Sequence, residues 1–300
     1  MRITELFEKG EFVLTAEVGP PKGVELDHLI KDAHEYLKTR VHALNVTDNQ
    51  SSVMRTGSLA TCKVLKDEGL LPIFQITCRD RNRIALQSDV LSAALLGIEN
   101  LLLLTGDYTT LGDHPQAKPV FDLDSVSLIH AVKRLEEGFD IAGNAVDGAP
   151  PKFAKGAVVS PCSDSVDVQL AKMEAKVKAG CEYFQTQGVY EPEKFIKFME
   201  QAKQFGVPVQ LGLIIPKNVG MCRYMNANVA GVHVPDEMIK ELQADKEKTK
   251  AGDTGVEICA RLIKECKDYA QGVHIMSLGW ENRIPEILDM AGIAPITPVV

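Results

Sequence analysis

The chain has 300 residues, 45% hydrophobic and 25% charged, with a formal net charge of -8, which is enough for one large α/β core and ordinary for a soluble globular protein. An acidic balance without a dense block of lysine or arginine argues against a nucleic-acid surface and leaves only a local basic pocket open. The first residues are charged throughout and no segment reaches about 18 uninterrupted apolar residues, so neither a secretory leader nor a membrane span is expected, and the expected compartment is the cytoplasm.

Residues 3–9 read as a short amphipathic helix. Phe12-Val13-Leu14-Thr15-Ala16-Glu17-Val18 reads as a first strand, stopped by Gly19-Pro20-Pro21. The rigid Pro-Pro segment confines Glu17, so its carboxyl is either aimed at a ligand or a solvated edge group. Residues 26–37 carry Leu26, Leu29, Ile30, Ala33 and Leu37 on one helical stripe. A second strand, 41–47, runs into the polar loop 48–52. A helix near 57–68 then leads to a third strand, 70–77, which delivers Gln75, Thr77, Arg79 and Asp80 to its far end.

After a helix over 82–96 comes Leu101-Leu102-Leu103-Leu104-Thr105-Gly106-Asp107. Four leucines ended by Thr-Gly and a carboxylate read as a strand buried on both faces that carries Asp107 to its C-terminal edge, where parallel α/β enzymes keep their chemistry. Asp107 as a simple cap of the next turn fits the stretch as well. Residues 108–155 are rich in Gly and Pro around a helix at 125–137, and the excess length suggests a loop over the active face or an inert insertion.

Further strands are expected at 156–159, 181–187, 209–215 and 272–278, and further helices at 166–180, 192–205, 218–225, 235–242, 254–269 and 283–290. The mixed-charge run 245–250 reads as solvated surface. Eight strand–helix units predict a single (β/α)₈ barrel over residues 1–300. A doubly wound dinucleotide fold would show a G-x-G-x-x-G turn after an early strand, and the chain has none there.

Polar groups converge at the expected C-terminal strand ends: Glu17, Thr47, Gln75, Asp107 and Gln187. A glutamine at a strand end suits reading the edge of a planar heterocycle and equally suits a structural link between loops. The seven cysteines are scattered with no C-x-x-C pair, which points to small buried hydrophobes rather than a zinc knot or iron-sulfur cluster. His28, His34, His42, His114 and His130 are too dispersed for a metal site, and His274, inside the last strand, reads as a packed or singly bonded core residue. There is no G-x-S-x-G elbow. Acid–base or cofactor chemistry is left.

Thr15-Ala16-Glu17-Val18-Gly19-Pro20-Pro21, Gln75-Ile76-Thr77-Cys78, Leu104-Thr105-Gly106-Asp107, Lys176-Val177-Lys178-Ala179-Gly180 and Phe184-Gln185-Thr186-Gln187 together resemble the ordered motifs of methylenetetrahydrofolate reductases. The resemblance covers almost the whole chain, through Ile215-Pro216-Lys217-Asn218 to the last strand. It implies a barrel with flavin at the C-terminal face of the strands, reducing 5,10-methylenetetrahydrofolate to 5-methyltetrahydrofolate by hydride transfer from flavin N5. Glu17 would be the general acid and would hold a proton near neutral pH, which a site shielded from water favours. Asp107 would orient the pterin and tune the flavin, Gln187 would bond folate, and Thr47, Gln75, Gln169 and Lys176 would contact the cofactor, Lys176 toward its phosphate end.

Three departures from the family pattern matter. Gln75 stands where histidine is common. Residues 49–53 and 108–120 match FAD-binding members poorly, so FMN stands as the alternative to FAD. Met276 and Trp280 replace a tyrosine and an arginine of NADH-using members, which makes NADH a less secure donor. The resemblance is compatible with a homo-oligomer and with a small cysteine-rich, metal-binding partner subunit that supplies electrons, as in anaerobic one-carbon metabolism, and equally with methyl supply for methionine. Two other readings compete: a pterin-binding methyltransferase barrel without flavin, and a non-catalytic subunit of a one-carbon complex.

Overall fold

A computed structural model describes residues 1–248 and 252–299, with the side chains of 246–248 left aside. Eight parallel strands among the described residues close in sequential order into a barrel: β1 (Val13–Val18), β2 (Ala43–Val46), β3 (Pro72–Thr77), β4 (Asn100–Leu104), β5 (Ala154–Val159), β6 (Tyr183–Thr186), β7 (Val209–Ile214) and β8 (Gly272–Met276). Closure is made by β1 against β8, with Thr15 beside His274. The expected (β/α)₈ architecture is the observed one.

Helices α1 (Thr4–Glu8), α2 (Asp27–Asp32), α3 (Ser58–Asp67), α4 (Arg83–Leu95), α5 (Ser125–Glu136), α6 (Val166–Ala179), α7 (Pro192–Ala202), α8 (Val219–Asn228), α9 (Asp236–Lys248), α10 (Asp253–Cys266) and α11 (Ile284–Met290) follow the sequence signals. Asn82 caps α4 by accepting from the backbone N–H of Ile84 and Ala85, Asp124 and Ser127 form a capping box on α5, and Gly180 ends α6 at φ +116°, the left-handed turn that favours glycine. The helix expected over 26–37 is α2 followed by a π-helical turn, Ala33–Leu37. Of the charged run 245–250, residues 249 and 250 and the side chains of 246–248 lie outside the described residues, and the backbone of α9 continues to Lys248.

Alternation along each strand sorts the side chains into two cores. Leu14, Ala16, Leu44, Phe74, Ile76, Leu101, Leu103 and Phe184 face the helices in the larger one. Val13, Ala43, Ile73, Leu102, Ala154 and Tyr183 fill the amino-terminal end of the barrel, where Ile3 and Leu6 close it. Leu101–Leu103 is thus buried on both faces, as its sequence indicates, with Leu104 partly buried and odd and even leucines in different cores. All seven cysteines are buried and unpaired, and burial pushes the thiols of Cys181 and Cys259 up to about 12.

The long 108–155 region divides. Residues before α5 lie after β4, at the C-terminal end of the barrel; those after α5 lead to the start of β5, at the opposite end, and include the antiparallel bridge between Phe139 and Ala145. Only the first part adjoins the candidate site, because a chain leaving the foot of α5 must enter β5 from below.

Candidate functional site

Above the apolar floor the inward positions turn polar. Thr15, Asn45, Gln185, Gln210 and His274 are all buried and joined in one network. Gln210 Nε2 donates to the backbone carbonyls of Val13, 2.9 Å, and Val273, 3.3 Å, and to Thr15 Oγ1, 3.2 Å. Backbone carbonyls only accept, so they fix the orientation of that amide. Gln185 Nε2 then donates to Gln210 Oε1, 3.1 Å, and to Thr15 Oγ1, 3.2 Å, while its own oxygen accepts from Asn45 Nδ2, 2.8 Å.

Thr15 Oγ1 also lies 2.9 Å from His274 Nδ1, and Nε2 of the same ring faces Glu17 Oε1 at 3.8 Å. His274 is the packed, singly hydrogen-bonded core residue expected from its place in the last strand, and its ring also lies near Glu17. Its signal lay in the register, since the inward alternation that carries Thr15 and Glu17 on β1 carries His274 on its neighbour β8.

Glu17 is 12% exposed at the top of β1. Its Oε1 also accepts from Gln75 Nε2, 3.0 Å, and its Oε2 from Gln50 Nε2, 3.1 Å. Gln75 is buried at the end of β3. Gln50, unnoticed in the sequence because it lies in a polar loop, sits on the turn after β2, where Asn49, Ser51 and Ser52 hold φ of 46°, 56° and 58°. Arg79, 2% exposed, holds that turn by donating to Ser52 Oγ, 3.0 Å, and to the Asn49 carbonyl, 3.3 Å.

Thr47 stands beside this group, its N–H bonded to the Val18 carbonyl. Its Oγ1 is buried without a hydrogen-bond partner in the protein. A buried hydroxyl left so costs about 1–3 kcal/mol. Its neighbour Asp48 has an anchoring role instead: it is buried and accepts from Thr77 N–H and Oγ1, both 2.9 Å, and from Arg81.

Asp107 is exposed after β4. Its backbone carbonyl accepts from Arg79 Nη1, 3.4 Å, and lies 3.3 Å from Ser52 Oγ, which sets it against the Gln50 turn. Gln187, at the end of β6, turns its amide oxygen onto Gly188 N–H, 3.0 Å. Gln169, in the first turn of α6, accepts from Ser160 N–H, 3.3 Å. Lys176 lies in the layer between α6 and β5, where its ammonium donates to the Val158 carbonyl, 2.7 Å, and burial holds it below the usual lysine range. The structure therefore joins Glu17 with Gln75 directly and with Asp107 through the Gln50 turn, whereas Gln169 and Lys176 belong to the β5–α6 unit. Among the described residues no group of three or more His, Cys, Asp or Glu side chains is arranged to hold a metal ion, and no helix is long and apolar enough to cross a membrane.

Residues 2–292 match the family model for methylenetetrahydrofolate reductase. The chain belongs to that family. It is 25% identical over 316 residues to methylenetetrahydrofolate reductase 2 of Schizosaccharomyces pombe, an alignment spanning 98% of this chain and 48% of the yeast protein. It is 23% identical over 295 residues to the 5,10-methylenetetrahydrofolate reductase of Escherichia coli, spanning 96% and 93%. The chain thus spans about half of the yeast relative and nearly all of the bacterial one. Among solved structures, a Clostridium thermocellum protein reported to bind two copies of 5-methyl-5,6,7,8-tetrahydrofolic acid superposes with a TM-score of 0.67 at 16% identity, covering 98% of this chain and 100% of that one. That likeness is one of fold.

Proposed function

We propose that this family member reduces 5,10-methylenetetrahydrofolate to 5-methyltetrahydrofolate with a noncovalent flavin, FAD ahead of FMN, and with NADH as a candidate donor. The observation that carries the reading is Glu17: a carboxyl shielded from water at a strand end, held at both oxygens by amides, beside the unpartnered hydroxyl of Thr47. That hydroxyl fits a polar cofactor edge, and Gln75 and Asp107 lie on the same side of the barrel. Bound flavin would supply the hydride.

The chain's own residues do the rest. As general acid, Glu17 gives a proton to the bridge nitrogen, so that the carbon–nitrogen bond opens and leaves an electrophilic carbon. The two amides then solvate the carboxylate that remains. Asp107 and Gln187 orient the pterin, and Gln169 and Lys176 are assigned to the cofactor, as the family pattern implies. Residues 1–300 act as one catalytic barrel.

Replacing Glu17 by glutamine tests the reading. Flavin should remain bound and reducible while reduction of the folate falls by at least about a thousandfold, toward the upper range for loss of a general acid. An unaffected folate half-reaction would sink the assignment.

A further inference from the structure

The two oxygens of Glu17 are not equivalent. Oε1 faces inward, accepting from Gln75 and lying 3.8 Å from His274 Nε2, whereas Oε2 has Gln50 as its hydrogen-bond donor, 3.1 Å away. Gln50 is only partly buried, unlike Gln75. Oε1, held from inside by a buried amide and lying near the His274 ring, is poorly placed to meet a ligand, while Oε2, partnered from the loop side, can do so.

The turn that carries Gln50 is held under strain. Three non-glycine residues around it are left-handed, each costing roughly 1–3 kcal/mol, a pattern that persists only where surrounding contacts over-determine it. Those contacts leave out the Gln50 side chain. Arg79 bonds Asn49 and Ser52, Asn49 Oδ1 accepts from Arg55 N–H at 3.0 Å, and Ser52 Oγ donates to the Tyr108 carbonyl at 2.9 Å. The scaffold is built around Gln50, and the Gln50 carboxamide is spent on Glu17.

We propose that Gln50 is a positioning residue for the acid, fixing Oε2 as the oxygen that carries and releases the proton. This rests on the assignment of Glu17 as general acid. In the step itself the O–H bond at Oε2 breaks, its electron pair stays on Oε2, and the proton forms an N–H bond on the folate nitrogen. A hydrogen bond from Gln50 Nε2 strengthens as that negative charge develops, so it favours the transition state over the protonated ground state.

The test uses the flavin-loaded protein with Gln50→Met, which keeps the volume and removes the donor, and Gln50→Ala. Both should slow the folate half-reaction about tenfold or more and raise its solvent deuterium isotope effect. Flavin reduction should be unchanged, and affinity for 5-methyltetrahydrofolate by calorimetry should stay within about threefold of the parent. An unchanged folate rate, or recovery in Gln50→Met alone, overturns the inference. So does a loss explained by lowered melting temperature or weaker folate binding. Run beside Glu17→Gln, the series separates the two claims: a loss in Glu17→Gln with none in Gln50→Met removes the role of Gln50 only, and no loss in either removes the acid as well.

Discussion

Thr15 Oγ1 lies 2.9 Å from His274 Nδ1, two side chains 259 residues apart that meet where the barrel closes. Because Thr15 also accepts from Gln185 and Gln210, it is the junction of the buried polar layer. Thr15→Val should remove an acceptor shared by both amides and leave a His274 ring nitrogen short of its partner, destabilising the protein by about 1–3 kcal/mol, measured by urea unfolding. Thr15→Ser should recover most of it. A valine variant as stable as the parent would mean that the layer is already satisfied without the hydroxyl.

Thr47 gives the opposite sign in the free protein. Its Oγ1 is buried and unpartnered, so Thr47→Val should leave the flavin-free protein as stable as before or about 1 kcal/mol more so. The same change should weaken flavin affinity by roughly tenfold if the hydroxyl serves the cofactor. Fluorescence titration with FAD and with FMN measures the second effect, and equal affinities in parent and variant would detach Thr47 from the site.

Lys176 is the assignment most in need of a direct measurement, since its ammonium bonds the Val158 carbonyl. Lys176→Met keeps most of the aliphatic stem and removes the charge. A phosphate contact predicts flavin retention lower by about tenfold or more. Unchanged retention of both FAD and FMN would leave Lys176 as a packing residue of the β5–α6 layer.

The loops around the mouth are clamped through Gly112 and Asp113. A Cβ on Gly112 would stand 1.8 Å from the Ser52 carbonyl oxygen, so Gly112→Ala should push the two loops apart at a cost of about 1–3 kcal/mol. Asp113 bonds Lys22 and Met54 N–H; the Lys22 ammonium, then His114 and the Met54 amide, hold its carboxyl well below the usual range. A lowered value in the folded state means that the contribution is whole above the ordinary value of about 3.9 and is lost as pH falls through the folded one. Amide protection over residues 108–114, taken relative to the intrinsic exchange rate at each pH, should therefore hold at about pH 5 and be lost only in stronger acid, with Asp113→Asn removing that dependence. Protection already lost near neutrality would point to another group.

Much of the molecule was legible in local pattern. Eight apolar strands, their turn residues and their helix caps depend on near neighbours in the chain, so the barrel followed from periodicity, and five short motifs in order pointed to the family. Glu17, Thr47, Gln75, Asp107 and Gln187 were visible for the same reason, since each ends a strand. What the sequence could not determine is which of those groups meet. Asp48 looked like a loop residue and is a buried anchor, because Arg81 and Thr77 reach it from the next unit. Gln50 reaches Glu17 only through a turn of three left-handed residues, whose strain nothing local foretells. His274 comes near Glu17 only because closing the ring sets β8 beside β1. Strand identity is a local property, but the side-chain contacts at the mouth come from closure and loop packing, and those are decided in three dimensions.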